Sequence, residues 1–204
     1  MNKQDIKALI DKQNPVILDI GSYNGKDAKE MSDIMDCVVH CFEPDPLSQE
    51  VFRSLHGDNG RMILYPVAVC NTDGEIEFYQ SNHPQSNSIR EPKEHISIFP
   101  GVKFDEKITV SGIKLDTWFA QKGRPVIDFI WADVNGAEED LILGGLEALA
   151  NTRYLYIECS NKELYAGQKH YSFIEKLLPD FKMLLMYNWG DNFGNILFKN
   201  MMYE

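Results

Sequence analysis

The sequence has little with which to hold a polyanion. Its 20 Lys and Arg are outnumbered by 31 Asp and Glu, giving a formal net charge of -11, and the basic residues form no cluster. That balance disfavours nucleic acid as a partner. No apolar run approaches the ~20 residues that a membrane-spanning helix needs. The segment from Asn2 to Lys12 is polar and amphipathic, without a signal-peptide core, so the expectation is a cytoplasmic protein with no membrane partner. The four cysteines, Cys37, Cys41, Cys70 and Cys159, have no CxxC spacing and sit in or beside apolar, strand-like runs. They read as reduced core thiols rather than zinc ligands or disulfides. Internal repeats and low-complexity segments are also missing. At 204 residues with 44% apolar content, the chain is long enough for one well-filled core, and a single domain over residues 1–204 is expected.

What is present centres on residues 16–25. Val16-Ile17-Leu18-Asp19-Ile20 has the pattern of a strand covered on both faces, and Gly21-Ser22-Tyr23-Asn24-Gly25 follows as a glycine turn opening a helix near Lys26. Glycines at 21 and 25 let the backbone turn sharply and approach a ligand, while the helix start presents unpaired N–H groups. Asp19 at the strand's lip suits an ammonium-bearing ligand better than a pyrophosphate, which separates this turn from the GxGxxG turn of dinucleotide enzymes. A second strand over residues 37–42 ends in Glu43, about two dozen residues after Asp19, the spacing at which an acid accepts hydrogen bonds from ribose hydroxyls. Pro44-Asp45-Pro46 then stops the strand and presets a helix over 47–55.

Further along, residues 61–70 read as a third strand, with Ala68 near its end small enough for an adenine ring to lie against it or simply packed as a core alanine. The turn Asn71-Thr72-Asp73-Gly74 leads into alternating residues 75–79, an added hairpin. Residues 81–104 form a long polar loop punctuated by Pro84, Pro92 and Pro100, of the kind that more often serves as a lid or binding loop, with Asn87 and Ser88 as cofactor or acceptor contacts. A fourth core strand, 126–131, runs into Asp133-Val134-Asn135-Gly136-Ala137-Glu138, and a fifth, 154–157, delivers Glu158 at its exit. Helical 172–178 and strands 181–187 and 193–198 complete the chain, the last pair as an antiparallel hairpin. The expected class is α/β, a Rossmann-like class I methyltransferase fold: a mostly parallel seven-stranded sheet with that C-terminal hairpin, helices on both faces, and an inserted hairpin and loop.

Four segments in order, Leu18–Gly25, Phe42–Pro46, Leu115-Asp116-Thr117-Trp118, and Ile127–Ile130 with Asp133–Glu138, resemble the FkbM family of S-adenosylmethionine-dependent methyltransferases. The resemblance implies methyl transfer from S-adenosylmethionine to an oxygen, commonly a hydroxyl of a sugar or a polyketide-like product. Two positions depart from the family's usual pattern: Ala132 stands where members usually carry lysine, and Asn135 where they carry an acid. Both are expected on the rim facing the acceptor.

In this reading Asp19, Gly21, Ser22, Tyr23, Asn24, Gly25, Glu43, Pro44, Ala68, Ser88 and Asp133 bind the cofactor, while Asp133 and Glu158 handle the acceptor's proton. Asn135, Glu138 and His170 are further acceptor-side residues, Glu138 serving alternatively as a first-turn carboxylate that stabilises its helix. Asp133 and Glu158 alternatively share magnesium or manganese, which would lower the hydroxyl's pKa. The expected activity is O-methylation of a small-molecule or glycan acceptor. A nicotinamide-dependent oxidoreductase and a non-catalytic methyltransferase-like binding module are the rivals. The missing second early glycine and the terminal hairpin argue against the first.

Overall fold

The computed structural model describes residues 1–58 and 60–203. Asn2 accepts a hydrogen bond from the Gln4 amide and starts α1 (Lys3–Ile10), which buries Ile6 and Ile10. After Pro15 comes β1 (Ile17–Ile20), buried at every position. The chain continues through α2 (Lys26–Met35), β2 (Val39–Phe42) and α3 (Pro46–His56). Asp45 caps α3 by accepting from the Leu47 and Ser48 amides, with Pro46 in the first turn where no N–H is needed. Then follow β3 (Met62–Tyr65), β4 (Ala68–Cys70), β5 (Gly74–Gln80), α4 (His95–Ile98), β6 (Glu106–Lys114), α5 (Leu115–Gln121) and β7 (Ile127–Ala132). The last third holds α6 (Glu138–Leu143), α7 (Leu146–Ala150), β8 (Thr152–Ser160), α8 (Tyr171–Lys176), β9 (Phe181–Tyr187) and β10 (Phe193–Asn200).

The main sheet has the order β3-β2-β1-β7-β8-β10-β9. β1 pairs in parallel with both β2 and β7, β7 with β8, and only β10 runs against its neighbours. Helices α1 to α3 bury Ile6, Ala28, Met31 and Phe52 on one face. Helices α5 to α8 bury Trp118, Leu141, Leu149 and Ile174 on the other. Because the chain steps outward from β1 to β3 and then returns to the opposite side of β1, the strand order reverses between β1 and β7. Ligands of open α/β sheets bind outside the carboxyl ends of the strands at such a reversal, and both Gly21 and Asp133 leave the sheet there.

Three elements differ from the sequence reading. The expected third strand divides at Pro66, which has no N–H for a ladder: β3 stays in the main sheet and β4 joins a second sheet of order β4-β6-β5. The expected 75–79 hairpin is therefore absent as such. β5 pairs antiparallel with β6, and β6 pairs in parallel with β4, so that Ala68 and Gly74 both face Gly112. Glu158 lies inside β8, opposite Asn195 of β10, rather than at the strand's exit. All four cysteines are buried and free, and no helix among the described residues is long and apolar enough to cross a membrane.

Candidate active site

At the strand reversal the backbone after β1 is fixed by its neighbours. The Gly21 and Ser22 amides donate to the Phe42 carbonyl at 2.9 and 3.0 Å, and the Asp133 amide donates to the Ile20 carbonyl at 2.8 Å. Gly21 has φ +85°, and a Cβ there would lie 1.8 Å from the Asp133 carbonyl oxygen. Glycine is thus required by the close passage of the β1 and β7 exits, not by ligand approach. Gly25 (φ +74°) leaves room for the Phe52 ring, which a Cβ would meet at 2.5 Å. Gly25, expected among the cofactor residues, packs under α3 and is absent from the lining of the cavity beside it. Glu43 clamps the turn: its carboxylate accepts the Tyr23 amide at 2.7 Å and the Asp45 amide at 2.8 Å.

Above this turn lies a cavity of about 350 Å³. Asp19, Asp27, Glu43 and Asp133 give it a carboxylate-rich lining, and Phe42, Ala68, Val69, Phe78 and Ile89 an apolar one. The turn residues Gly21, Ser22, Tyr23 and Asn24 line it too, as do Pro44 and Ser88. Burial pushes the Asp19 and Glu43 carboxyls up to about 7, with Asp27 adding to the rise at Asp19. Asp19 Oδ2 and Asp133 Oδ1 are buried with no hydrogen-bond partner. Such groups are costly unless a ligand supplies the donor or cation.

A second cavity, also about 350 Å³, shares Gln85, Asp133 and Asn135 with the first. Glu158 and Ser160 line it from β8, Phe193 from β10, and His95, Phe99 and Tyr165 from the connecting segments. Desolvation raises both Asp133 and Glu158, and their mutual repulsion holds Glu158 the higher of the two. The wall between the cavities is latched by Asn135, whose φ of +46° suits asparagine. Its Nδ2 donates to the Gln85 and Asn87 carbonyls at 2.9 and 3.1 Å, and its own carbonyl accepts from Ser88 Oγ at 2.6 Å. Tyr165 adds a further tie, its hydroxyl donating to the Ser86 carbonyl at 2.8 Å.

A family model described as the methyltransferase FkbM domain matches residues 19–190, most of the chain and every lining residue of the two cavities except Phe193. The chain belongs to this family. It is 40% identical over 205 residues to the 2-O-methyltransferase NoeI of Sinorhizobium fredii, covering 97% of this chain and 84% of that relative. Among solved structures, it resembles Aeropyrum pernix fibrillarin in complex with S-adenosyl-L-methionine at TM-score 0.53 and 14% identity, over 93% of this chain and 68% of that one. An rRNA methylase from Streptococcus thermophilus matches at TM-score 0.55 and 11% identity, over 97% and 95%. These structural likenesses concern the fold, which is that of class I methyltransferases.

This FkbM methyltransferase is therefore an S-adenosylmethionine-dependent O-methyltransferase, and the oxidoreductase alternative is set aside. The first cavity fits that donor, since its unpartnered carboxylate oxygens suit an ammonium and a sulfonium while its apolar residues suit a flat base. Three acceptor-side expectations take other places. Glu138 lines neither cavity: Oε1 accepts the Gly136 amide at 2.8 Å, bracing the turn before α6. His170 is exposed outside both cavities, its Nδ1 capping α8 by accepting the Ser172 amide. Ala132, expected on the rim, is fully buried in the core. Asp27 and Trp131 line the first cavity without having been singled out as cofactor residues. Lys3 pairs with Asp27 and lies over the Trp131 ring, and the only local signal for Asp27 was an acid in the first turn of α2. Among the described residues no three His, Cys, Asp or Glu side chains gather as a metal site.

Proposed function

We propose that this enzyme methylates a hydroxyl of a carbohydrate, with S-adenosylmethionine in the first cavity and the sugar in the second. The observation that carries the reading is the junction: Asp133 lines both cavities and keeps a buried oxygen without a partner. The carbohydrate class is supported by the 40% identical relative, a 2-O-methyltransferase, and by a second cavity that mixes aromatic rings with amide and hydroxyl groups.

When bound, S-adenosylmethionine supplies an electrophilic methyl group on a sulfonium. In this proposal Asp19 takes the donor's ammonium, Glu43 accepts from the ribose hydroxyls through lone pairs not used by the Tyr23 and Asp45 amides, and Ala68 lies against the base. The residues at the cavity junction hold the acceptor oxygen in line with the methyl carbon, which supplies much of the rate. Asp133 would take up the proton of the acceptor hydroxyl as that oxygen receives the methyl group. Glu158, held protonated at neutral pH by burial and by Asp133, donates a hydrogen bond to a neighbouring sugar oxygen.

A transfer assay with methyl-labelled cofactor and a panel of glycosides, with magnesium, manganese or a chelator, tests this. Label is expected on at least one glycoside, with the chelator leaving the rate unchanged. Cofactor binding without label on any glycoside would refute the carbohydrate reading, and loss of transfer with the chelator would restore the metal-assisted one.

A further inference from the structure

The second cavity carries a charge pattern that goes beyond naming a sugar. Its acidic lining groups are Asp133 and Glu158, of which Asp133 is the one ionised in the proposed reaction; no Lys or Arg lines it, and its basic residues are His83, at an exposed position, and His95. Of the cations on the surrounding segments, Lys103 and Lys162 line neither cavity, and three others are committed elsewhere. Arg90 pairs with Asp140 at 2.7 Å, Lys93 with Glu163 at 2.5 Å, and Lys169 with Glu139 at 3.6 Å. His95 supplies no fixed positive charge either: it is 5% exposed, and desolvation lowers its pKa. The rest of the lining has two characters. Phe99 packs on the buried His95 ring, centroids 4.8 Å apart, and stands with the half-buried Phe193 at 6.3 Å, an aromatic surface on which the C–H face of a sugar ring can lie. The Gln85 and Gln168 side-chain amides and the Asn135 Oδ1 offer partners for ring hydroxyls, while the Asn135 Nδ2 and the Ser160 hydroxyl are already engaged within the chain. The volume, about 350 Å³, stands at the lower end of the ~300–1,000 Å³ of small-molecule sites, room for a ring rather than an extended oligosaccharide.

We propose that the ring methylated by this enzyme carries no anionic group: the second cavity takes one uncharged sugar ring and rejects rings bearing a carboxylate, phosphate or sulfate. This deepens the carbohydrate reading and rests on it. The basis of rejection is negative. An anion placed at the junction would face the Asp133 carboxylate with no Lys or Arg in the lining to answer it, whereas neutral hydroxyls meet hydrogen-bonding groups already in place.

The test uses the full-length enzyme with saturating cofactor and pyranosides in matched pairs, each neutral glycoside beside its uronic acid, read by label transfer. Binding of each pair to the enzyme with S-adenosylhomocysteine is measured in parallel by calorimetry. Neutral members are expected to be methylated and their uronates to be at least ~30-fold poorer in kcat/KM, the scale on which like-charge juxtaposition discriminates. Val102→Lys, which places an ammonium in the lining of the cavity, is expected to raise the uronate-to-neutral ratio about 10-fold. Equal or better use of uronates by the wild type would overturn the charge proposal and leave the carbohydrate reading standing. Absence of transfer and of binding across both halves of the panel, with cofactor still bound, would overturn both.

Discussion

The two cavities are built from the chain in opposite ways. The first cavity, proposed for the cofactor, is assembled mainly from short contiguous runs at strand ends: Asp19–Asn24 after β1, Phe42–Pro44 after β2, Val67–Val69 around β4, and Asp133–Asn135 after β7. The second, proposed for the acceptor, draws on Gln85 and Ser86, His95 and Phe99, Glu158–Ser160, Tyr165 and Phe193, which meet only because β10 lies beside β8 and the long connection folds across both. A donor common to a family can be held by motifs that read along the sequence. An acceptor held by tertiary adjacency leaves little trace in it. The halves meet at Gln85, Asp133 and Asn135, and variants there should affect both substrates while variants elsewhere affect one.

The largest effect is expected at the junction. Asp133→Asn should cost 10²–10⁴-fold in kcat, the range for a lost general base, without unfolding the protein, because asparagine keeps an oxygen to accept from the Asn135 amide. Glu158→Gln replaces a protonated carboxyl by another hydrogen-bond donor and should cost less than about 10-fold. The wild-type rate should rise with pH as Asp133, raised by burial to about 6, loses its proton, and Asp133→Asn should flatten that limb. A larger loss at Glu158 than at Asp133 would exchange their roles.

Next in size, Glu43→Ala should weaken S-adenosylhomocysteine binding about 10–100-fold by calorimetry, in keeping with ~1.5–3 kcal/mol for hydrogen bonds to a charged group, with little change in acceptor KM. An unchanged affinity would remove Glu43 from the ribose. Asn135→Asp keeps a residue tolerant of positive φ but turns a carboxylate toward the Gln85 and Asn87 carbonyls in place of a donor. It should weaken both substrates by roughly 3–10-fold, a cost comparable to one hydrogen bond, and open residues 81–104 to limited proteolysis. An effect on one substrate alone would mean that the latch does not couple the cavities.

The smallest expected effect is a pH dependence of stability. Asp19 and Glu43 have folded pKa values of about 7, above the usual carboxylate value, so the folded state holds their protons longer than the unfolded chain. Stability from these groups is present at low pH and is lost as pH rises from about 4 to about 7. Bound S-adenosylmethionine, being cationic, favours the ionised forms. The rise in Tm that it causes should therefore be greater at pH 8 than at pH 5, and a rise independent of pH would place its charges away from these carboxylates.

Much of the cofactor half was legible because its residues follow from backbone rules: a buried strand, a turn, an acid at the next strand's end. Even there the reasons changed. Gly21 and Gly25 make room for the Asp133 carbonyl and the Phe52 ring, which no local pattern reveals. Leu115–Trp118, one of the segments carrying the family resemblance, proves to be scaffold: Asp116 accepts the Glu147 and Ala148 amides and caps α7, while Trp118 packs on His40 and Phe42. On the other side His170 and Glu138 are candidates by their places after β8 and at the start of α6, yet one caps α8, and the other, in the first turn of α6 as its alternative reading has it, braces the turn before that helix. His95 and Tyr165 carried no signal, being polar or aromatic residues in irregular segments, and only folding brings them to Glu158.

The central claim is that donor and acceptor meet at Asp133. A crystal structure of the enzyme with S-adenosylhomocysteine and a neutral glycoside that it methylates tests this most directly. The account predicts the cofactor between Asp19 and Ala68, and the reactive hydroxyl within about 2.6–3.2 Å of the Asp133 carboxylate. A hydroxyl held by another group, with Asp133 facing away, would contradict it.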